Sequence, residues 1–205
     1  LPFKDSGVEG LIFGGGEPTL WPGNLRALAG EARDLGFSVQ IGTHALNLPH
    51  GFETWNEVTR WVLPLESVDQ GSHNRLRPTG INHHALIQGR LEALGLAGRS
   101  VTVSTVVTRE NMAGLPALGQ WLSEYAGHFG NLHAWHLYRL VEKGRMGSVH
   151  GPGLQVPLKD YRQAVGDLKI GLSGNFHIFR RENMPHSREV DFFAFREGEL
   201  RPAPF

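Results

Sequence analysis

Leu11-Ile12-Phe13-Gly14-Gly15-Gly16-Glu17-Pro18-Thr19-Leu20 is the stretch on which the fold reading turns. Val8 to Phe13 is apolar enough for a strand, and three glycines follow at its carboxyl end. Without Cβ atoms such a loop bends sharply and lets a ligand approach the main chain. Pro18 fixes its own φ and keeps Glu17 out of the helical region. The loop therefore offers carbonyls and one carboxylate, a set suited to a cationic amino group rather than to a phosphate. The phosphate-binding alternatives lack their residues. No Gly-Lys-Ser/Thr is present, and a dinucleotide fingerprint through Gly14 and Gly16 needs glycine where Thr19 stands. A plain tight turn is the competing reading of the glycines alone.

Outward from the loop, the spacing alternates between strand and helix. Leu25, Leu28, Ala32 and Leu35 recur at helical intervals, and Gly36 stands at the expected helix end. Phe37, Val39 and Ile41 then alternate with Ser38, Gln40 and Gly42, a strand with one packed face. Phe52, Trp55 and Val58 predict a short helix, and Trp61 to Leu65 a strand in which Pro64 argues for an end or an edge. Ile87, Leu91 and Leu94 form a helical stripe closed by Gly95; Val101 to Thr108 is β-branched apart from Ser104. Leu115, Leu118, Leu122 and Tyr125 form the next stripe, and Leu132 to Val141 the last strand of the series. Five strands interleaved with helices predict an α/β fold: a partial (β/α) TIM-like barrel with parallel strands and outer helices, or an open doubly wound sheet. In both, ligands sit at the carboxyl ends of the strands. The rhythm stops near residue 145. Residues 1–145 are expected to form the partial barrel and 146–205 a small C-terminal β extension. That extension would hold a loop, a helix over Tyr161 to Leu168, and two antiparallel strands, Phe176 to Arg180 and Asp191 to Arg196, the second turning at Glu197-Gly198.

Composition narrows the function. The 205 residues are enough to bury a core without staples, and 20 basic against 20 acidic side chains create no field that gathers nucleic acid or anionic lipid. No apolar run is long enough for a membrane span and no leader pattern is evident, so a cytoplasmic protein is expected. With no Cys, this chain forms neither disulfides nor thiolate metal sites. Among the 11 His, His83-His84 are adjacent, while alternation puts His133 and His136 on opposite faces of a strand; core or surface roles are expected rather than a zinc site. A Gly-x-Ser-x-Gly nucleophile elbow does not occur. Arg139, Glu142, Lys143 and Arg145 gather past the last strand of the series, where either an anionic substrate or a merely solvated loop accounts for them.

Phe13 to Leu20 resembles the GGEP motif of the radical S-adenosylmethionine (radical SAM) superfamily. Further segments are similar in the same order. Leu63-Pro64-Leu65-Glu66-Ser67, with His73-Asn74-Arg75-Leu76-Arg77, resembles the family's fourth-strand region; Val103 to Asn111 resembles the fifth strand, and Trp135 to Leu140 the sixth. The ordered match spans roughly residues 8–145.

The resemblance implies reductive cleavage of S-adenosylmethionine by a [4Fe-4S] cluster, giving a 5′-deoxyadenosyl radical that acts on a substrate. It implies that Gly15, Gly16, Glu17 and Pro18 hold the methionine amino group and that Ser67 lies near the ribose or carboxylate. Ser104 or Thr105, with Asn111, would face the sugar and methionine, and Tyr138 and Leu140 would flank the adenine. Arg139 and Arg145 are weaker candidates for substrate contacts. A flavodoxin or ferredoxin electron donor and a small-molecule or peptide substrate are implied as partners. The family ligates its cluster through CxxxCxxC, which this chain lacks. Leu1 to Gly7 resembles the helix after that loop, so the first βα unit is expected upstream of Leu1, and the chain as it stands is expected to be inactive. A cluster-less binding or regulatory module on the same scaffold is the alternative, and a phosphate-binding TIM-barrel enzyme a third reading.

Overall fold

The computed structural model describes residues 7–140, 153–172, 176–182, 190–196 and 199–202. Six strands form one sheet in the order β1 to β6: β1 (Gly10–Phe13), β2 (Ser38–Gly42), β3 (Arg60–Pro64), β4 (Val101–Val107), β5 (Leu132–Arg139) and β6 (His177–Arg181). Every neighbouring pair is parallel. Parallel pairing requires the chain to cross back between strands. Helices α1 (Leu25–Asp34), α2 (Gln70–Leu76), α3 (His83–Leu96), α4 (Leu115–Phe129) and α5 (Leu158–Gly171) occupy four of the five crossovers, and the one from β2 to β3 carries only a 3-10 turn, Phe52–Thr54. A second, two-stranded antiparallel sheet pairs β7 (Phe193–Arg196) with β8 (Glu199–Pro202). The sheet curves into a half-barrel with its helices outside, as the sequence pattern predicts.

Alternation decides where the core lies. Val39, Ile41, Trp61, Leu63, Val103, Val107, Trp135 and Leu137 are buried with the apolar stripes of the helices, while the intervening residues line the concave face. Phe52 meets Trp61 edge to face at 5.2 Å, and the Tyr125 hydroxyl donates to the Leu91 carbonyl at 2.7 Å, so the polar tip of a buried ring is satisfied. Gly36 adopts φ +90° after α1, as a helix C-terminus requires. Pro64 closes β3, where its missing N–H disturbs no ladder, although β3 lies mid-sheet. Among the described residues, no helix is long and apolar enough to cross a membrane.

Two sequence expectations are corrected, and one helix was not anticipated. The segment containing Phe52 is a single 3-10 turn over Phe52–Thr54. Helix α2 has too short an apolar pattern to be read in advance; Asp69 caps it, accepting the Ser72 N–H at 2.7 Å. The strand at 177–181 does not pair with 193–196. Tyr161, Val165 and Leu168 of α5 bury one stripe against the sheet, which makes α5 a crossover helix and brings β6 in parallel beside β5. The antiparallel partner of β7 is β8, across residues 197–198.

Candidate functional site

The carboxyl ends of β1 to β4 meet at one rim of the half-barrel. At β1 the chain turns through Gly15 (φ +76°) and Gly16 (φ +54°), conformations that other residues adopt only at a cost. A Cβ at Gly14, Gly15 or Gly16 would meet nothing within 4 Å, so open space lies against this backbone. Glu17 is extended, as Pro18 dictates, and caps the 3-10 turn Pro18–Leu20. Its carboxylate folds away from the loop toward β2. Thr19 Oγ1 donates to Oε1 at 2.6 Å, Thr43 Oγ1 donates to the same oxygen, and the His44 N–H reaches Oε2 at 2.8 Å. Burial alone would raise the pKa of this group, but the donors outweigh it and hold the Glu17 carboxyl below its usual range. With a side chain only 6% exposed, Glu17 is a fixed anion behind the glycine loop.

A chain of imidazoles joins this loop to β3. The Glu66 N–H donates to His73 Nδ1 at 3.0 Å, His73 Nε2 and His83 Nδ1 are 2.8 Å apart, and His83 Nε2 lies 2.7 Å from the His44 carbonyl. An amide nitrogen only donates and a carbonyl only accepts, so the protons have one arrangement: each ring is neutral and carries hydrogen on Nε2. Burial, followed by the neighbouring His83, His84 and Arg77, pushes His73 down to about 3, and burial is likewise the main cause that lowers His83. Beyond the relay, Glu66 is 2% exposed; Arg77 Nε donates to it at 2.8 Å and the Val106 N–H at 2.8 Å, which ties in β4. His73, His83 and His84 are all buried.

The residues named from sequence fall into separate environments. Gly15, Gly16, Glu17 and Pro18 form the loop. Ser67 is buried and its Oγ accepts the Asp69 N–H at 3.0 Å at the start of α2. Ser104 faces the concave side, whereas Thr105 faces the helices, donating to the Leu65 carbonyl at 2.6 Å and accepting from Trp135 Nε1 at 2.9 Å. Both hydrogens of the Asn111 amide are used, on the Glu66 and Val106 carbonyls, and its oxygen accepts from Thr108 N and Oγ1. Asn111 thus clamps the β3 and β4 ends together. Tyr138 lies on the concave face, 3.3 Å from His136 Nδ1, and burial raises its hydroxyl above the usual range. Leu140 follows β5 directly. Arg139 points to the helix side of the sheet, and its buried Nε has no partner among the described residues. Arg145 lies outside the described residues. Thr43, His44, His73 and the Glu66–Arg77 pair were not anticipated as site residues; for Thr43, His44 and Glu66 the available signal was polar residues standing just after a strand, whereas His73 and Arg77 belong to α2 and its end.

His133 and His136 do not lie on opposite faces. A bulge pairs Val101 with Leu132 but Thr102 with Ala134, so one residue is added to β5 and the alternation resets. His133 consequently joins His136 on the concave side, its ring 5.7 Å from that of His177.

No protein-family model matches the chain, and no curated protein matches it. Solved structures do. Streptococcus suis SuiB bound to S-adenosylmethionine aligns over 87% of this chain and 41% of its own, with TM-score 0.69 and 17% identity. SuiB bound to precursor peptide SuiA covers 86% of this chain and 39% of its own, with TM-score 0.66 and 18% identity. A domain of pyruvate-formate lyase-activating enzyme from Bacteroides vulgatus ATCC 8482 covers 84% and 98%, with TM-score 0.60 and 14% identity. The chain spans about two fifths of the length of the SuiB chains. At these identities the likeness concerns architecture alone: the half-barrel of six parallel strands is the fold that this chain shares with these solved structures.

Proposed function

We propose that this chain is the S-adenosylmethionine-binding core of a radical SAM enzyme, with Gly15, Gly16, Glu17 and Pro18 holding the methionine end of the cofactor. The observation that supports this reading most is the bare main chain at Gly14 to Gly16, backed by the buried Glu17 carboxylate. Loop carbonyls accept from an ammonium group, and Glu17 favours that cation through its field rather than by contact. Ser67, Ser104, Tyr138 and Leu140 are proposed for the sugar, carboxylate and adenine; Thr105 and Asn111, whose polar atoms are already engaged, act by holding β3 and β4 in place. Bound S-adenosylmethionine supplies, on one-electron reduction, a carbon radical able to abstract hydrogen.

The donor set of this chain does not fit a [4Fe-4S] cluster. It has no Cys, and among the described residues no group of three His, Asp or Glu is arranged around a metal position. Catalysis of the proposed kind requires thiolates that these 205 residues do not provide. A cluster-less binding or regulatory module on the same scaffold is the second reading. A small-molecule or peptide substrate, a flavodoxin or ferredoxin electron donor and a cytoplasmic setting belong to the enzyme reading; SuiB with its precursor peptide is consistent with the peptide option.

Titration of the chain with S-adenosylmethionine, followed by the amide resonances of Gly14 to Gly16 and His44, tests the proposal. Saturable shifts are expected, with affinity at least about tenfold weaker in Gly15→Val, since a β-branched residue is excluded from positive φ. Absence of shifts at these amides overturns the reading. Anaerobic iron–sulfide reconstitution is expected to leave this chain without iron; a cluster absorption would overturn the donor argument.

A further inference from the structure

The concave face of the sheet carries charge that the rim does not use. Strand pairing puts Arg60, Ala134, His136, His177, Phe179 and Arg181 on this side, and the bulge adds His133. Arg60 is half-buried, its Nε donates to Ser100 Oγ at 3.1 Å, and it makes no ion pair among the described residues. The rings interlock: His136 lies 5.2 Å from Phe179, and His177 lies 5.7 Å from His133 and 5.8 Å from Phe179. The Arg181 guanidinium sits 4.9 Å over Phe179.

Among the described residues, the one carboxylate that alternation brings to this side is Glu66, at the rim, where Arg77 already pairs with it. Glu182 follows Arg181 in the chain and pairs instead with Arg162 and Arg180. Burial, then Arg181, His133 and Arg60, pushes His136 down to about 4; burial, Arg60 and His177 lower His133. The chain as a whole has equal numbers of acids and bases, so gathering Arg60 and three protonatable imidazoles on one face is a local choice with an electrostatic cost. A metal cation would add to the repulsion, and among the described residues no metal-holding group is present. An anion relieves it, and the imidazoles can take up protons as it binds.

We infer that the concave face, through Arg60, His133, His136 and His177, binds an anionic group, carboxylate or phosphate, of a small ligand. Arg60, His133 and His177 stand at the amino ends of β3, β5 and β6, so this site lies at the opposite end of the sheet from the rim and goes beyond the cofactor reading.

The experiment is a titration of the whole chain with inorganic phosphate and, separately, succinate, at ionic strength held constant with potassium chloride. Imidazole resonances of His133, His136 and His177 report the outcome. Expected are saturable shifts with at least one of the two anions, imidazole pKa values raised by about one unit or more, and at least tenfold weaker binding in Arg60→Gln with most of it retained in Arg60→Lys. The stronger anion tells phosphate from carboxylate. Responses that match potassium chloride alone, or saturable binding indifferent to Arg60→Gln, overturn the inference. The S-adenosylmethionine response of the Gly14 to Gly16 amides is read on the same samples and is expected to survive Arg60→Gln. Its absence in the parent chain would count against the cofactor reading and leave the anion result to stand alone.

Discussion

Glu17 draws its role from what surrounds its two oxygens. In Glu17→Gln one oxygen becomes an amide that cannot accept, so some of the donors from Thr19, Thr43 and His44 lose their partner. The cost is expected to be roughly 1–3 kcal/mol of stability, read from urea unfolding at pH 7. The folded-state pKa of Glu17 is depressed, so its contribution is present above the unfolded value of 4.5 and is lost as pH falls through the lower folded value. The variant should therefore differ from the parent above pH 4.5 and converge on it in more acidic solution. Unfolding curves across that range check the convergence. Glycine spacing and Glu-Pro were legible in the sequence at this scale. The direction of the Glu17 side chain was not, because it depends on Thr43 and His44, which reach it only when β2 lies beside β1.

Between the elements, the relay from Glu66 through His73 and His83 to His44 joins the ends of β3 and β2 with protons that have one possible order. Two amide replacements separate its halves. Asparagine at 83 can take the place of Nδ1 and keep the bond to His73, while glutamine can take the place of Nε2 and keep the bond to the His44 carbonyl. If the relay steadies the glycine loop, His83→Asn should raise amide hydrogen exchange at residues 43–46 more than His83→Gln does, at similar global costs of about 1–3 kcal/mol. The reverse order would remove that role. His73 is held neutral with a value of about 3 against 6.5 unfolded, so the unfolded chain takes up protons first and stability falls as pH drops from 6.5 toward 3. The same scale shows why helix α2 and the His133 position escaped the sequence. A seven-residue helix has too few turns to show a period, and a bulge cannot be read from alternation because it is the failure of alternation.

For the whole molecule, the open question is whether the last unit belongs to one cooperative body. The Tyr161 hydroxyl on α5 donates to the Leu137 carbonyl of β5 at 2.6 Å and accepts the Arg181 N–H of β6 at 3.1 Å, so one side chain pins both strands. Burial pushes this hydroxyl up to about 12, consistent with a neutral group serving as donor and acceptor. Tyr161→Phe is expected to cost about 1–2 kcal/mol in a single unfolding transition, with exchange at the Arg181 amide faster than in the parent. A separate, earlier transition of the C-terminal part would show instead that α5 and β6 fold as an appendage.

By itself the sequence determined the secondary-structure rhythm, the parallel α/β class and the glycine loop at a strand's carboxyl end, because period, β-branching and glycine act over a few neighbouring residues. The strand partner of 177–181, the facing of His133 and the division of labour between Ser104 and Thr105 were decided only by tertiary structure. Each depends on which strand lies alongside and in what register, and a shift of one residue reverses every side chain. The charge collected beneath the rim has the same origin: Arg60, His133 and His177 are far apart in the chain and become one surface only where β3, β4, β5 and β6 run side by side.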